Sequence, residues 1–323
     1  EVCNIFKVPY VCWIVDSPVM ELYSYSIRNK CNRIFMFDYA LYEEFRNENP
    51  TGIFYLPLGA NYHRLDTLIS SITLDEAKKF SSDIAFVGSL YTEKCPYNRL
   101  KEDGSYLKGY LDGLIEAQLK VYGYNFLEEC ITDDMVGELK KKVPFYQFPE
   151  KAVHNDKAAL AHLYLGNKVT EQERLRLLKS IARYHKVTLY TGSDVSGLPQ
   201  VEMRGLAKTM TEMPKIFHLS KINLNFTSKP IRTGLPLRIW DILGAGGFVL
   251  TNYQTEITEY FEIGNELETF SSEEELLDKI SYYLTHEEER CKIARRGYEK
   301  AKKEYTLQKR IKQMLEMAGI VDC

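Results

Sequence analysis

Arg238 and Asp241 stand three positions apart in TSKPIRTGLPLRIWDILGAGGFVLTN, residues 227–252. That spacing puts a guanidinium and a carboxylate on neighbouring faces of one helical turn. Thr233 and Gly234 break the chain ahead of them, Pro236 stands where a first helical turn accepts proline, and Leu237 to Leu243 follow helical periodicity. Gly244, Gly246 and Gly247 end the helix, and Phe248–Thr251 reads as a buried strand. A helix opening behind a glycine turn offers unpaired N–H groups and a positive dipole end, which together seat a phosphate. An ordinary α/β connection with a surface ion pair has the same signature, and the rest of the chain decides between the two.

Other residues of chemical interest end short apolar runs. Asp16 closes YVCWIV and precedes Ser17-Pro18. A carboxylate there can serve as general base to an acceptor hydroxyl, or can cap backbone N–H groups within an Asp-Ser-Pro turn. Gly88-Ser89 closes DIAFV, and Lys94 follows, a cation for a phosphate or a solvated loop lysine. Tyr190-Thr191-Gly192-Ser193 closes a further run, at the carboxyl edge where parallel sheets collect ligands. His63 and His218 are isolated and read as structural. No two aspartates are separated by a single residue and no His-Glu-x-x-His occurs, so neither common metal signature is present. The seven cysteines are scattered without a C-x-x-C pair, the usage of a reducing, cytoplasmic compartment with neither zinc site nor disulfide frame.

The elements that must position these residues alternate. Val8–Val15, Arg33–Phe37, Ile53–Leu56, Asp83–Val87, Lys186–Tyr190, Ile222–Phe226 and Phe248–Thr251 read as strands, separated by helical segments or loops such as LGANYHRLD. That is the pattern of parallel sheets covered by helices. A length of 323 residues suits about two domains, and the polar SSITLDEAKKFSS marks the break near residues 70–82. Residues 95–170 depart from the alternation and predict a helical insertion within the second domain, able to cover a site, recognise an acceptor or form a dimer surface. Because Glu1 is not methionine and a strand follows almost at once, the first domain is expected to be incomplete. A net charge of −3 argues against nucleic acid, and no apolar run approaches the roughly 20 residues of a membrane span.

In order, these segments resemble the GT-B glycosyltransferases, particularly the family-4-like enzymes and the bacterial spore-maturation (CgeB-like) branch. IFYLPLGANYHRLD resembles their interdomain stretch, with Pro57, Gly59, Asn61 and Asp66. DIAFVGSLYTEK resembles the first donor-domain strand, its glycine turn and its lysine. TGLPLRIWDILGAGGFVLTN resembles the donor-site helix, and NELETF through KKEYT the C-terminal helices. The resemblance implies two Rossmann-like domains facing a cleft: residues 1–80 with the terminal helix 307–323, and a donor domain over 81–306. It implies transfer of a sugar from a nucleoside-diphosphate donor, a uridine diphosphate sugar foremost, to a surface polysaccharide, protein or spore-coat acceptor, with no metal or other cofactor. The implied donor ligands are Gly88, Ser89, Lys94, Gly192, Arg204, Gly205, Thr233, Gly234 and Arg238, with Asp16 and Asp241 as catalytic residues. The chain departs from the family where Thr233 replaces a glutamate, Asp241 shortens another, and Ser89 replaces an arginine that grips the diphosphate. A non-catalytic relative, or an epimerase on the same fold, is the alternative.

Overall fold

A computed structural model describes residues 2–102 and 104–320. The remaining positions, 1, 103 and 321–323, fall in the expected first domain, insertion and terminal helix and lie outside the described residues. Two parallel sheets form. The first holds β1 (Tyr10–Ile14), β2 (Asn32–Met36) and β3 (Ile53–Tyr55) in the order β1-β2-β3. The second holds β4 (Ser82–Val87), β5 (Val187–Tyr190), β6 (Glu202–Met203), β7 (Ser220–Asn225), β8 (Val249–Asn252) and β9 (Glu268–Phe270) in the order β6-β5-β4-β7-β8-β9. Every pair is parallel, and β4 lies between β5 and β7, where the chain reverses its direction of winding. In such sheets the crevice beyond that reversal, at the carboxyl ends of the strands, takes the ligand.

Several expectations change. The strand expected over Val8–Val15 is confined to Tyr10–Ile14. LGANYHRLD, expected as a loop, starts the helix Tyr62–Ser70, because the Asn61 side chain accepts the Arg64 N–H at 3.3 Å and caps it. The polar break likewise contains a helix, Leu74–Phe80, opened by a Thr73–Glu76 capping box. Strands β6 and β9 are additions. They are too short to alternate visibly, and β9 carries a buried Glu268 held by Lys279 Nζ at 2.7 Å and Tyr283 Oη at 2.8 Å.

One apolar core runs through both domains. Phe37, Leu58 and Leu65 of the first meet Ile239, Trp240 and Leu243 on the helix Leu237–Gly244 of the second. Trp240 is fully buried. Gly244 permits the approach, since a Cβ there would lie 2.5 Å from Leu65 Cδ1. The terminal helix Leu307–Met317 returns to the first sheet, with Met314 packing beside Phe35 and Leu56. Between β4 and the helix Asn167–Ala182, the inserted helices Tyr106–Gln118 and Asp133–Lys142 and the π-helical turn Leu160–Gly166 bury a core of their own. The insertion also touches the first domain through backbone: Tyr25 N donates to Lys151 O at 2.9 Å, and Val153 N to Tyr23 O at 2.8 Å. Among the described residues, no helix is long and apolar enough to cross a membrane.

Asp38 joins the domains at their seam. Buried at the start of the helix Tyr39–Phe45, it accepts Ala40 N at 3.0 Å and Leu41 N at 3.3 Å from its own helix. From the other domain it accepts Arg232 N at 2.6 Å and Thr233 Oγ1 at 2.8 Å. Removing it deletes a helix cap and strands a buried N–H. Asp38→Ala is therefore expected to lower unfolding free energy by about 2–4 kcal/mol in urea denaturation.

Candidate active site

At the carboxyl ends of β1, β4 and β7 lies a cavity of about 280 Å³ between the domains. Asp16 enters from the first domain. Gly88, Ser89 and Lys94 follow β4, Thr227 and Ser228 follow β7, and Pro236 to Arg238 form the start of the core helix. Five of the residues expected at a donor site, Asp16, Gly88, Ser89, Lys94 and Arg238, are thus brought together. The helix points its amino end, with its unpaired N–H groups, at the same space.

Arg174 completes the cationic lining, and it is the residue that sequence reasoning missed. It comes from the middle of Asn167–Ala182, is 8% exposed, and lines the cavity. Nη1 donates to Ser89 O and Nη2 to Phe226 O, both at 2.5 Å, so one guanidinium ties the ends of β4 and β7 together. Nε has no hydrogen-bond partner among the described residues. Burial lowers the pKa of this guanidinium from its ordinary value. Arginine nevertheless stays charged at neutral pH, so a fixed positive charge lines the cavity, its Nε buried behind it. Its guanidinium lies 4.8 Å from the Tyr91 ring centroid, and Lys94 Nζ lies 5.4 Å from the same ring. Tyr91 has φ of 66°, a left-handed conformation rare for an aromatic residue, which sets that ring between the two cations. Within ERLRLLKS an arginine reads as solvated. Yet Thr170, Arg174, Leu177, Leu178 and Ile181 share the buried helical face, and that spacing was the available signal.

Arg238 contacts Met213 Sδ and reaches Asp241 Oδ2 at a long 3.4 Å, a loose pair that leaves guanidinium donors for a ligand. Burial lowers its pKa, with Asp241 acting in the opposite sense. Ser89 is already engaged: Oγ donates to Glu93 Oε1 at 2.8 Å and accepts Tyr91 N at 2.9 Å. The loop bearing Lys94 is anchored by Asn167 Nδ2 on Lys94 O at 3.2 Å. Asp16 is exposed, with one oxygen accepting Ser17 N at 2.9 Å, so the turn-capping role is present as well as cleft access.

The other expected residues lie elsewhere. Asp241 is one turn deeper in the helix and does not line the cavity. Thr233 and Gly234 do not form the cradle; they sit at the seam on Asp38, where a Cβ on Gly234 would be 2.8 Å from Asp38 Cα. Gly192 packs under Leu206, whose Cδ2 would be 3.2 Å from a Cβ there. Gly205 has φ of +73° in an open turn. Arg204 is engaged by Glu202 at 2.9 Å and Lys79 O at 2.6 Å, outside the cavity. None of the insertion's helices lines it, and His218 is bound to Ala245 O at 2.9 Å. Among the described residues, no group of three or more His, Cys, Asp or Glu is placed to hold a metal ion.

Residues 168–316 match a family described as glycosyl transferase-like. Over 99% of the chain, the fold superimposes on HepE from Anabaena in complex with UDP and glucose, at 11% identity, covering 74% of that protein with a TM-score of 0.53. The chain has the GT-B fold. Sucrose-phosphate synthase from Thermosynechococcus elongatus shares it, at 10% identity and a TM-score of 0.51, over 91% of this chain and 59% of that one. No curated protein matches the sequence. In family match and in fold alike, the chain is similar to glycosyltransferases.

Asp241 supplies a measurable titration. Burial pushes its carboxyl up to about 6, against the pull of Arg238 and Arg64. The folded state therefore holds this proton more tightly than the unfolded state, and stability falls as pH rises from the ordinary carboxylate value through about 6. Asp241→Asn removes that loss. In thermal denaturation its Tm advantage over the parent is expected to grow by a few degrees across that window and stay level above it.

Proposed function

We propose that the chain transfers a glycosyl group from a nucleoside-diphosphate sugar, most simply a uridine diphosphate sugar, to a surface polysaccharide, protein or spore-coat acceptor, without a metal ion. The observation that carries this reading is the convergence of Lys94, Arg174, Arg238 and a helix amino end on one cavity that faces Asp16 across the cleft. In transfer, the bond between the anomeric carbon and the diphosphate oxygen breaks with its electron pair left on the phosphate. The acceptor oxygen bonds to that carbon, and its proton is lost. Three fixed cations stabilise the charge gathering on the leaving diphosphate, which a low-dielectric wall makes more effective than water would. They also take over the work a metal does elsewhere. Asp16, on the opposite wall, is the base for the acceptor proton. Arg174 supplies the guanidinium that Ser89 does not. Asp241 pairs loosely with Arg238 from one turn deeper in the helix and acts on the site through that guanidinium.

Support for uridine comes from the shared fold of HepE, described with UDP and with UDP-glucose. The spore-maturation (CgeB-like) branch rests on the resemblance of segments such as IFYLPLGANYHRLD and TGLPLRIWDILGAGGFVLTN, and the free cysteines support a cytoplasmic setting.

Calorimetry with UDP and GDP, in chelated buffer and with added magnesium, tests the reading. UDP is expected to bind without metal. Lys94→Ala, Arg174→Gln and Arg238→Ala should each weaken it about 10- to 100-fold while leaving uridine affinity unchanged, since each loses a charge-assisted bond to phosphate. Asp16→Asn should keep UDP affinity and lose about 10²- to 10⁴-fold in transfer rate. A folded protein that binds neither diphosphate would overturn the proposal.

A further inference from the structure

Ile231 lines the cationic cavity, and two residues further on Thr233 lines a second one, of about 490 Å³. That volume lies within the roughly 300–1,000 Å³ of small-molecule sites. Its walls come from both domains: Tyr39 and Tyr55 from the first, Glu256, Glu259 and Tyr260 from the second. No lysine, arginine or histidine lines it, so it is not another phosphate seat. Its aromatic walls are held in place. Tyr55 Oη donates to Glu256 Oε2 at 2.5 Å, Tyr260 pairs with the Tyr55 hydroxyl, and Tyr39 N donates to Glu256 Oε1 at 2.8 Å. The Tyr39 and Tyr55 rings meet edge-on, with centroids 5.3 Å apart. Glu256 is buried by this role, and burial raises its pKa. Glu259 is exposed at the mouth, and its carboxylate makes no hydrogen bond or ion pair among the described residues. Tyr39 is 47% exposed beside it.

We propose that this second cavity binds a neutral saccharide and anchors the acceptor glycan beside the reaction cavity. Pyranose rings lay their apolar C–H faces on aromatic rings, and their vicinal hydroxyls donate to a free carboxylate, so three tyrosines with Glu259 match both halves of a sugar. The assignment to an acceptor rests on the transferase reading above. Ile231 of the first cavity and Thr233 of the second are two residues apart, at most about 7 Å of chain, so the two cavities have neighbouring walls, and further units of a glycan held in the second can extend toward the first.

Titration of the full chain with maltohexaose, cellohexaose and N-acetylchitohexaose, alongside UDP, tests the proposal. One of the three is expected to bind. Tyr39→Ala and Glu259→Gln should each weaken that binding at least about 10-fold while UDP affinity, which also reports folding, stays unchanged. Arg174→Gln should leave oligosaccharide binding as it is. Absence of all three from a protein that binds UDP, or binding indifferent to both substitutions, overturns it. So does tetramethylammonium binding through Tyr39 in place of sugar, because three tyrosines also suit a cation. Oligosaccharide binding through Tyr39 without UDP binding retires the donor reading and upholds the saccharide site.

Discussion

The helix Leu237–Gly244 is the part on which the rest depends, because its apolar face and its amino end do different physical work. Its apolar face, with Ile239, Trp240 and Leu243, is buried in a core shared by both domains. Burying a tryptophan fully removes a large apolar surface from water, a term whose loss by truncation is typically about 3–5 kcal/mol. That burial fixes the helix axis, and the axis in turn fixes where the amino end and Arg238 point. The cavity is therefore not shaped by loops alone. Its anion-facing wall is the unburied end of a core element.

Around that wall the electrostatics follow from scarcity of water. Arg174 is buried with one donor unmatched, and its pKa is lowered by the same burial. A cation so placed is costly in an empty site and favourable in one holding an anion. Carbonyls of Ser89 and Phe226 hold the guanidinium in the meantime. They also tie it to the strand ends, so the charge is fixed in position before any ligand arrives.

Much of this was legible in the sequence, and what was not has identifiable reasons. The alternation gave two parallel sheets, the glycine-bounded helix and the inserted segment, since apolar periodicity reports burial directly. Asp16, Gly88, Ser89, Lys94 and Arg238 meet in one cavity because strand ends and helix starts converge at the winding reversal. Thr233 and Gly234 were assigned to the phosphate from their place before a helix. Only tertiary structure shows that Asp38, almost two hundred residues earlier, claims them for the domain seam. Arg174 was hidden by its charged neighbours, although its spacing to Leu177, Leu178 and Ile181 set it on the buried face. The helices at Tyr62 and Leu74 were missed because their starts are polar and depend on the caps Asn61 and Thr73.

The short backbone pairing between Tyr23–Tyr25 and Lys151–Val153 has a mechanical consequence. At another place Leu307 N donates to Ala60 O at 2.9 Å, which pins the start of the terminal helix to the first domain. The Asp38 seam and the shared core already hold the domains together. The insertion adds a further tie to the first domain, with Met20 packed into its core beside the backbone pairing. Any widening of the cleft that separates these segments must break that tie as well as the seam, although the insertion's helices form no part of the cavity wall.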